Sequence, residues 1–194
     1  LIPVQNPGDF AIELGSIYAV TSVGVGEPPA ASKDGCCSRE TSEGATTEAQ
    51  MESCIFCKIV AGKDPKTTLL YQDEGYVVFQ DIHPASTHHY LIVPKKHLKD
   101  VKSLTYNDIP IVNRLVEIGK QVLEQRGGSL DTSRFGFHWP PFTSISHLHL
   151  HVIAPAADMS TIGRFIFMPG SPWFSLVDDT IAYLERSRPV TPAS

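Results

Sequence analysis

Residues 147–153 read His-Leu-His-Leu-His-Val-Ile, so a histidine occupies every second position from 147 to 151. A period of two is typical of a β-strand that has one buried face and one face available for chemistry. The pattern predicts that His147, His149 and His151 project from one face of such a strand, with successive rings about 6.5–7 Å apart. Arranged as a helix, the same residues would form neither an apolar stripe nor a cluster of histidines.

Three imidazoles on one strand face could bind a metal ion, or they could act as nucleophile, acid and base near pH 7. A polar, solvated face is the remaining interpretation, and three strictly alternating histidines among only eight in the chain argue against it. A shared metal ion is disfavoured by the spacing, because donor atoms around one zinc lie only about 3 Å apart. We therefore predict nucleophilic chemistry, in which one imidazole attacks and its neighbours assist.

Patterns elsewhere in the chain predict the elements that hold this strand. Apolar residues at helical spacing predict one long helix from Thr105 to Gly127, with Pro110 near its start where proline is tolerated. A Gly- and Pro-rich loop is expected to end at Pro172. Short helices are expected at residues 53–62 and 175–186, and strands at residues 68–72, 76–81, 89–93, 135–139 and 146–154. The predicted fold class is α+β: an antiparallel sheet of about five strands with one long helix and short flanking helices.

Composition divides the chain of 194 residues into three parts. Residues 1–50 are rich in Gly, Ser, Thr, Pro, Ala and Glu, so we expect a disordered N-terminal tail. Residues 51–187 are expected to form one globular domain, and residues 188–194 a C-terminal tail. The net charge of −5 argues against a general nucleic-acid binder. No apolar run approaches the ~20 residues that a transmembrane helix needs.

Three motifs of this chain occur in the same order and at matching distances in a known family. Residues 147–153 resemble the signature His-φ-His-φ-His-φ-φ, with φ apolar, of the histidine triad (HIT) nucleotide hydrolases and transferases. Asp81-Ile82, followed by residues 89–97, resembles the upstream block of that family, and residues 54–59 resemble its opening helix. The resemblance covers roughly residues 53–156 and implies the HIT fold. It is greatest to the histidine triad nucleotide-binding (Hint) branch, in particular to its third member, with some likeness to the HIT domain of aprataxin.

The resemblance implies a role for each catalytic candidate. His149 would be the nucleophile that attacks an α-phosphorus and forms a nucleotidyl-imidazole, and the carbonyl of His147 would hold its other ring nitrogen. His151 would bind phosphate oxygens, and His89 would complete the cluster. Ser144 matches a serine near the leaving group, which can donate a hydrogen bond or pass a proton.

Contacts with the nucleotide are implied in the same way. The carboxylate of Asp81 would accept hydrogen bonds from the ribose hydroxyls. His138 stands where nucleotide-binding relatives more often have Asn, so it is a further candidate for contact with the nucleotide or its leaving group. A purine base would lie in an apolar slot, and a core role is equally consistent for two of its members, Phe79 and Leu91. The slot consists of Ile55, Phe56, Ile59, Phe79, Ile82 and Leu91.

The four cysteines form two local pairs, Cys36-Cys37 and Cys54-x-x-Cys57. This spacing is unlike the disulfide framework of a small secreted protein and favours a reducing compartment. Cys36 and Cys37 are expected to be ordinary thiols in a loose segment. Cys54 and Cys57 are half of a zinc site that His97 and one motif histidine could complete, as in some bacterial relatives. Such a zinc would be structural, and we expect the reaction to require neither a metal nor another cofactor.

The resemblance implies hydrolysis of the P–N bond of adenosine 5′-monophosphoramidates, and of acyl- or aminoacyl-adenylates, with release of AMP. Transferase relatives carry Gln where this chain has His151, so hydrolysis is favoured over transfer.

Two alternatives stay open. One is a nucleotide-dependent interaction protein with little turnover. The other is aprataxin-like removal of AMP from adenylated DNA ends, which the negative charge and the absence of cysteine after Cys57 disfavour. A homodimer is expected from the relatives. The expected location is cytoplasmic and also nuclear, with no membrane partner and no nucleic-acid partner.

Overall fold

The computed structural model describes residues 48–189. The tails predicted at residues 1–50 and 188–194 lie largely outside the described residues, as do Cys36 and Cys37. None of the described helices is both long and apolar enough to cross a membrane. In chain order the elements are α1 (Glu48–Ser53), α2 (Ile55–Val60), β1 (Leu69–Gln72), β2 (Tyr76–Gln80), β3 (His88–Pro94), α3 (Ile109–Gln125), β4 (Arg134–His138), β5 (Leu150–Ala154), α4 (Thr161–Ile166), β6 (Phe174–Leu176) and α5 (Val177–Glu185).

The sheet is antiparallel throughout and has six strands in the order β1-β2-β3-β5-β4-β6. The predicted α+β class with one long helix is confirmed, whereas the predicted count of about five strands is one too low. The strand that was not predicted, β6, has only three residues, which is too short to show a period of two. The six-residue helix α4 lies inside the predicted loop, because six residues are also too few to show helical periodicity.

The strand β5 begins at Leu150 rather than at residue 146, so His147 and His149 precede it. Leu148 donates its backbone N–H to the carbonyl of Leu98 at 2.6 Å instead of joining the sheet. Only His151 lies within the strand, between β3 and β4. The three histidines therefore follow the chain through a bend into the strand.

The two faces of the sheet are covered by different helices. The 17-residue helix α3 packs on one face, and Gly119 allows a close approach. A β-carbon at Gly119 would lie 2.9 Å from Val152 Cγ2 and 3.0 Å from Phe135 Cε1. The other face carries α2, which buries Phe56 and Ile59 against the sheet. This second face also carries the side chains of His89, His138, His149 and His151, which are called the histidine cluster below.

The outer strand β6 pairs with β4 because Gly136 has no side chain. Gly136 lies opposite Leu176, and a β-carbon at Gly136 would be 2.5 Å from both Ser175 O and Phe174 Cζ. A backbone oxygen cannot move away without breaking the pairing between the two strands. The same pairing places His138, at the end of β4, opposite Phe174, so β6 holds one side of the histidine cluster.

Replacing Gly136 with alanine should force β6 away from β4. We expect Gly136→Ala to lower the free energy of unfolding by about 1–3 kcal/mol, the range for overpacked positions, measured by urea denaturation. Gly75→Ala is the matched control, because a β-carbon there meets nothing closer than Asp73 Oδ1 at 4.0 Å. The control should change the free energy of unfolding by less than about 0.5 kcal/mol. Equal stability of the two variants would contradict the role given to Gly136.

Candidate active site

All three triad histidines are buried: the exposed fraction is 0% for His147, 8% for His149 and 4% for His151. The ring centroids of His149 and His151 lie 4.8 Å apart, edge to face. The prediction of rings spaced along a flat strand is wrong, because the backbone bends at His147 before β5 begins. The rings of His149 and His151 lie together in a desolvated cluster, and burial disfavours the charged forms of all three histidines.

The proton of His149 is fixed by a backbone carbonyl. His149 Nδ1 lies 2.6 Å from the carbonyl oxygen of His147. Because a carbonyl can only accept, Nδ1 carries the proton and Nε2 keeps its lone pair. Burial lowers the pKa of His149 to about 4, against the opposing effect of the hydrogen bond to His147. At neutral pH His149 is therefore an uncharged imidazole with a free lone pair on Nε2, as a nucleophile requires.

A chain of hydrogen bonds fixes the protons of His89 and His151. The backbone N–H of Ala85 donates to His89 Nδ1 at 3.1 Å, so the proton of His89 is on Nε2. His89 Nε2 lies 3.0 Å from His151 Nδ1 and 3.6 Å from Asp81 Oδ2. It therefore donates to His151, whose own proton is on Nε2. His151 Nε2 is buried and has no hydrogen-bond partner among the described residues.

A buried donor without a partner destabilises a fold by about 1–3 kcal/mol. This cost indicates that His151 Nε2–H donates its hydrogen bond to a ligand. Burial lowers the pKa of His89 to about 4 and holds the pKa of His151 well below its ordinary value. Both rings are thus neutral at pH 7, and His151 presents a hydrogen-bond donor rather than a positive charge.

A cavity of about 730 Å³ opens beside His149 and His151, a size typical of small-molecule sites. Ile55 is 42% and Ile82 86% exposed, so one part of the wall is open to solvent. Phe79 and Leu91 belong to the buried cluster under α2 and also form the cavity wall. The predicted site residues that line the cavity are Ile55, Phe56, Ile59, Phe79, Asp81, Ile82, Leu91, Ser144, His149 and His151.

The cavity has a polar wall that no sequence signal marks. Asp64 accepts hydrogen bonds from the backbone N–H of Lys66 at 3.3 Å and from the Thr67 hydroxyl at 2.5 Å. These three residues line the cavity together with Thr68 and Gln80. They lie mainly in the loop between α2 and β1, which has neither periodicity nor a recognisable spacing. Their side chains give this part of the wall hydrogen-bonding groups.

The remaining predicted histidines lie around the cavity rather than on its wall. His89 is behind His151, as described above. His138 donates from Nδ1 to the carbonyl of Trp173 at 3.2 Å, and its ring is 4.8 Å from that of His151. It lines a separate small cleft that also reaches His147 and His149.

His147 turns away from the cavity and joins both cysteines of the Cys-x-x-Cys motif. His147 Nδ1 lies 3.4 Å from Cys54 Sγ and 3.5 Å from Cys57 Sγ, and His97 Nδ1 lies 3.1 Å from Cys57 Sγ. The edges of a zinc tetrahedron with two sulfur and two nitrogen ligands measure about 3.3–3.8 Å. His147 Nε2 donates to the carbonyl of Pro94 at 2.9 Å, which leaves the lone pair of Nδ1 directed at the two sulfurs.

The Cys/His cluster of Cys54, Cys57, His97 and His147 fits a metal ion better than a second group of potential metal ligands in the described residues does. Asp81, His89 and His151 also bring three potential ligand atoms within 4.8 Å of one another. However, His89 Nε2 carries the proton, because its Nδ1 accepts from Ala85, and a metal ligand must offer a lone pair. Burial and the neighbouring Cys54 raise the pKa of Cys57 to about 11, so in the absence of a cation Cys57 is a neutral thiol at pH 7.

The buried neutral histidines make the stability of the fold depend on pH. The pKa values of His89, His147 and His149 are lowered from 6.5 to about 4. Between these values the unfolded chain binds protons that the folded chain excludes, so stability is present above pH 6.5 and is lost as the pH falls toward 4. We expect the urea midpoint, measured with a chelator present, to fall between pH 7 and pH 5, and less steeply in His149→Gln. A constant midpoint would contradict this.

Comparison with known proteins identifies relatives of this chain. A family model described as "Scavenger mRNA decapping enzyme C-term binding" matches residues 53–165. The chain is 44% identical over 148 residues to a protein of Xenopus tropicalis named adenosine 5′-monophosphoramidase HINT3. The aligned residues are 74% of this chain and 97% of that protein. It is 32% identical over 97 residues to aprataxin of Danio rerio, covering 50% of this chain and 29% of that protein.

A solved structure shares the fold. A HIT family hydrolase from Legionella pneumophila is 29% identical, with a TM-score of 0.50 over 53% of this chain and 92% of that chain. The likeness to the third Hint member and the weaker likeness to aprataxin are confirmed. Since the family model matches more than half of the chain and the Xenopus relative is covered almost from end to end, this chain belongs to the histidine triad (HIT) family.

Proposed function

We propose that this chain is a nucleotide hydrolase that cleaves the P–N bond of adenosine 5′-monophosphoramidates, acts also on acyl- and aminoacyl-adenylates, and releases AMP. The observation that carries the proposal is the 2.6 Å hydrogen bond from His149 Nδ1 to the His147 carbonyl. It leaves a nucleophilic lone pair on His149 Nε2, and the ring lines a cavity large enough for a nucleotide. The name of the Xenopus relative, adenosine 5′-monophosphoramidase, supports the same reaction.

In the first half-reaction, His149 Nε2 forms a bond to the α-phosphorus while the P–N bond of the substrate breaks. The nitrogen leaves as an amine after gaining a proton from solvent, and Ser144, which lines the cavity, would hydrogen-bond to it. The buried N–H of His151 would donate to a phosphate oxygen as negative charge develops there. In the second half-reaction, water attacks the phosphorus and the bond to His149 breaks, which releases AMP.

The nucleoside would be held by Asp81 and the apolar slot. Asp81 Oδ1 accepts the backbone N–H of His83 at 2.8 Å, which orients the carboxylate and leaves lone pairs for the ribose hydroxyls. The base would lie against α2 beside Ile55 and Ile82. Because this wall is exposed and apolar, it favours a flat ring system without selecting strongly among bases.

Removing the nucleophile should separate binding from turnover. In the full chain, His149→Ala should reduce AMP release from adenosine 5′-phosphoramidate at least about 10³-fold, because the covalent route is lost. AMP should still bind, measured by calorimetry, since the rest of the cavity wall is unchanged. His88→Gln is the control: His88 bonds to the Tyr90 hydroxyl at 2.7 Å on the face covered by α3, and its loss should leave turnover unchanged.

Either of two outcomes would redirect the proposal. Undiminished turnover in His149→Ala would remove the nucleophile assignment. No turnover by the wild-type chain, with AMP still bound, would favour the alternative of a nucleotide-dependent interaction protein. Release of AMP from an adenylated DNA end at a rate exceeding that from the phosphoramidate would favour the aprataxin-like alternative.

We also propose that Cys54, Cys57, His97 and His147 bind one structural zinc ion. The distances among their ligand atoms and the free lone pair of His147 Nδ1 support this. No step of the reaction uses the metal. Because the carbonyl of His147 orients His149, a metal on the His147 ring would immobilise the residue on which the nucleophile depends.

Metal analysis tests this site directly. We expect about one zinc per purified wild-type chain and a large loss of zinc in the Cys54→Ser/Cys57→Ser variant. The melting temperature should fall in that variant and in wild-type chain treated with a chelator, because both lose the same cross-link. Cys36→Ser/Cys37→Ser should retain its zinc. A wild-type chain that contains no zinc and binds none on titration would exclude the site.

The homodimer and the cytoplasmic and nuclear location stay predictions. The side of β4 that faces away from β5 is paired with β6. Within the described residues, a dimer that extends the sheet would therefore have to use β1 or β6.

A further inference from the structure

His138 is a titratable side chain that the reaction described above leaves without a role. It lies at the end of β4, half-buried, and its ring is within 5.4 Å of the rings of His151, Phe167 and Phe174, measured between centroids. This packing on several sides fixes the plane of the imidazole. His138 is therefore held rigidly beside the histidine cluster, although it does not line the nucleotide cavity.

The free nitrogen of His138 is a hydrogen-bond acceptor. Its Nδ1 lies 3.2 Å from the carbonyl of Trp173, so Nδ1 carries the proton and Nε2 carries a lone pair. No group among the residues that the structure describes hydrogen-bonds to Nε2. Burial lowers the pKa of His138 below its ordinary value, against the opposing effect of the Trp173 carbonyl. The ring is thus an uncharged base at pH 7.

A small cleft connects His138 with the nucleophile. His138, Thr143 and His149 line it together, and its volume of about 10 Å³ corresponds to room for one water molecule. The cleft and the nucleotide cavity share His149, but the residues of the apolar base slot line only the cavity. A water molecule in the cleft would therefore lie beside His149 and outside the apolar slot proposed for the base.

We infer that His138 is the general base of the second half-reaction and activates the water that hydrolyses the nucleotidyl-His149 intermediate. This inference rests on the proposed function. The water oxygen forms a bond to phosphorus, one water proton moves to His138 Nε2, and the bond from phosphorus to His149 Nε2 breaks. His149 recovers its lone pair and AMP is released. His138 is left as an imidazolium, which returns its proton to solvent before the next turnover.

The inference predicts that loss of His138 slows the second half-reaction alone. In the full chain, His138→Asn and His138→Gln should lower kcat at least about tenfold, since a general base contributes roughly 10²–10⁴ to the step it serves. The value of kcat/KM for adenosine 5′-phosphoramidate should stay within about threefold of wild type, because it reports only the steps through formation of the intermediate. Intact-mass spectrometry during turnover should show more chain that carries covalent AMP than in wild type.

The experiment uses two variants of His138 and one control variant. Asn and Gln can both hydrogen-bond to water but cannot take its proton, and a variant that fails to fold is replaced by the other. His88→Gln should leave kcat and the covalent fraction unchanged. A parallel fall of kcat and kcat/KM without accumulation of the intermediate, or no change in either constant, would overturn the role of His138. No turnover by the wild-type chain would instead overturn the proposed function.

Discussion

The hydrogen bond from His149 Nδ1 to the carbonyl of His147 decides what this histidine cluster can do. Without it, the proton of His149 could occupy either ring nitrogen, and only part of the molecules would have a nucleophilic lone pair on Nε2. The protons of the neighbouring histidines are fixed in the same way. A backbone carbonyl can only accept a hydrogen bond and a backbone N–H can only donate one, so each determines which ring nitrogen is protonated. The carbonyls of Pro94 and Trp173 assign the protons of His147 and His138, and the amide of Ala85 assigns that of His89 and, through it, of His151.

Burial is the second condition, and the sheet provides it. A solvated imidazole would be partly protonated near pH 7, whereas His149 in this cluster has a pKa of about 4 and stays neutral. The fold excludes water by packing Phe56 edge to face against His149 at 5.1 Å and by pairing β6 with β4 next to His138. Excluding charge from the cluster destabilises the fold in acid, because the unfolded chain then binds protons that the folded cluster excludes.

The sequence predicts the chemistry of this site better than its geometry. Residue types and spacing identify the triad, the Cys-x-x-Cys motif with His97, and the long helix, because each depends on local periodicity or on a motif. The predicted ring spacing is wrong, since the chain bends at His147, where the backbone of Leu148 bonds to the distant Leu98 instead of to a neighbouring strand. The strand β6 escapes prediction because its three residues are too few to show a period of two, and its pairing depends on Gly136 opposite Leu176, a contact between distant parts of the chain.

Neutral histidines also determine which leaving groups the proposed reaction can expel. With pKa values of about 4, His89 and His149 carry no extra proton at pH 7, and the N–H of a neutral imidazole is a poor acid. An alkoxide would need such a proton to leave, whereas the nitrogen of a phosphoramidate is more basic than an ester oxygen and gains a proton from solvent more readily, and the carboxylate of an acyl-adenylate needs none. The cluster would therefore select P–N and acyl–phosphate bonds over simple phosphate esters by lacking an acid. The exposed wall at Ile55 and Ile82 adds little selection among bases, so the chemistry of the leaving group would dominate the choice of substrate.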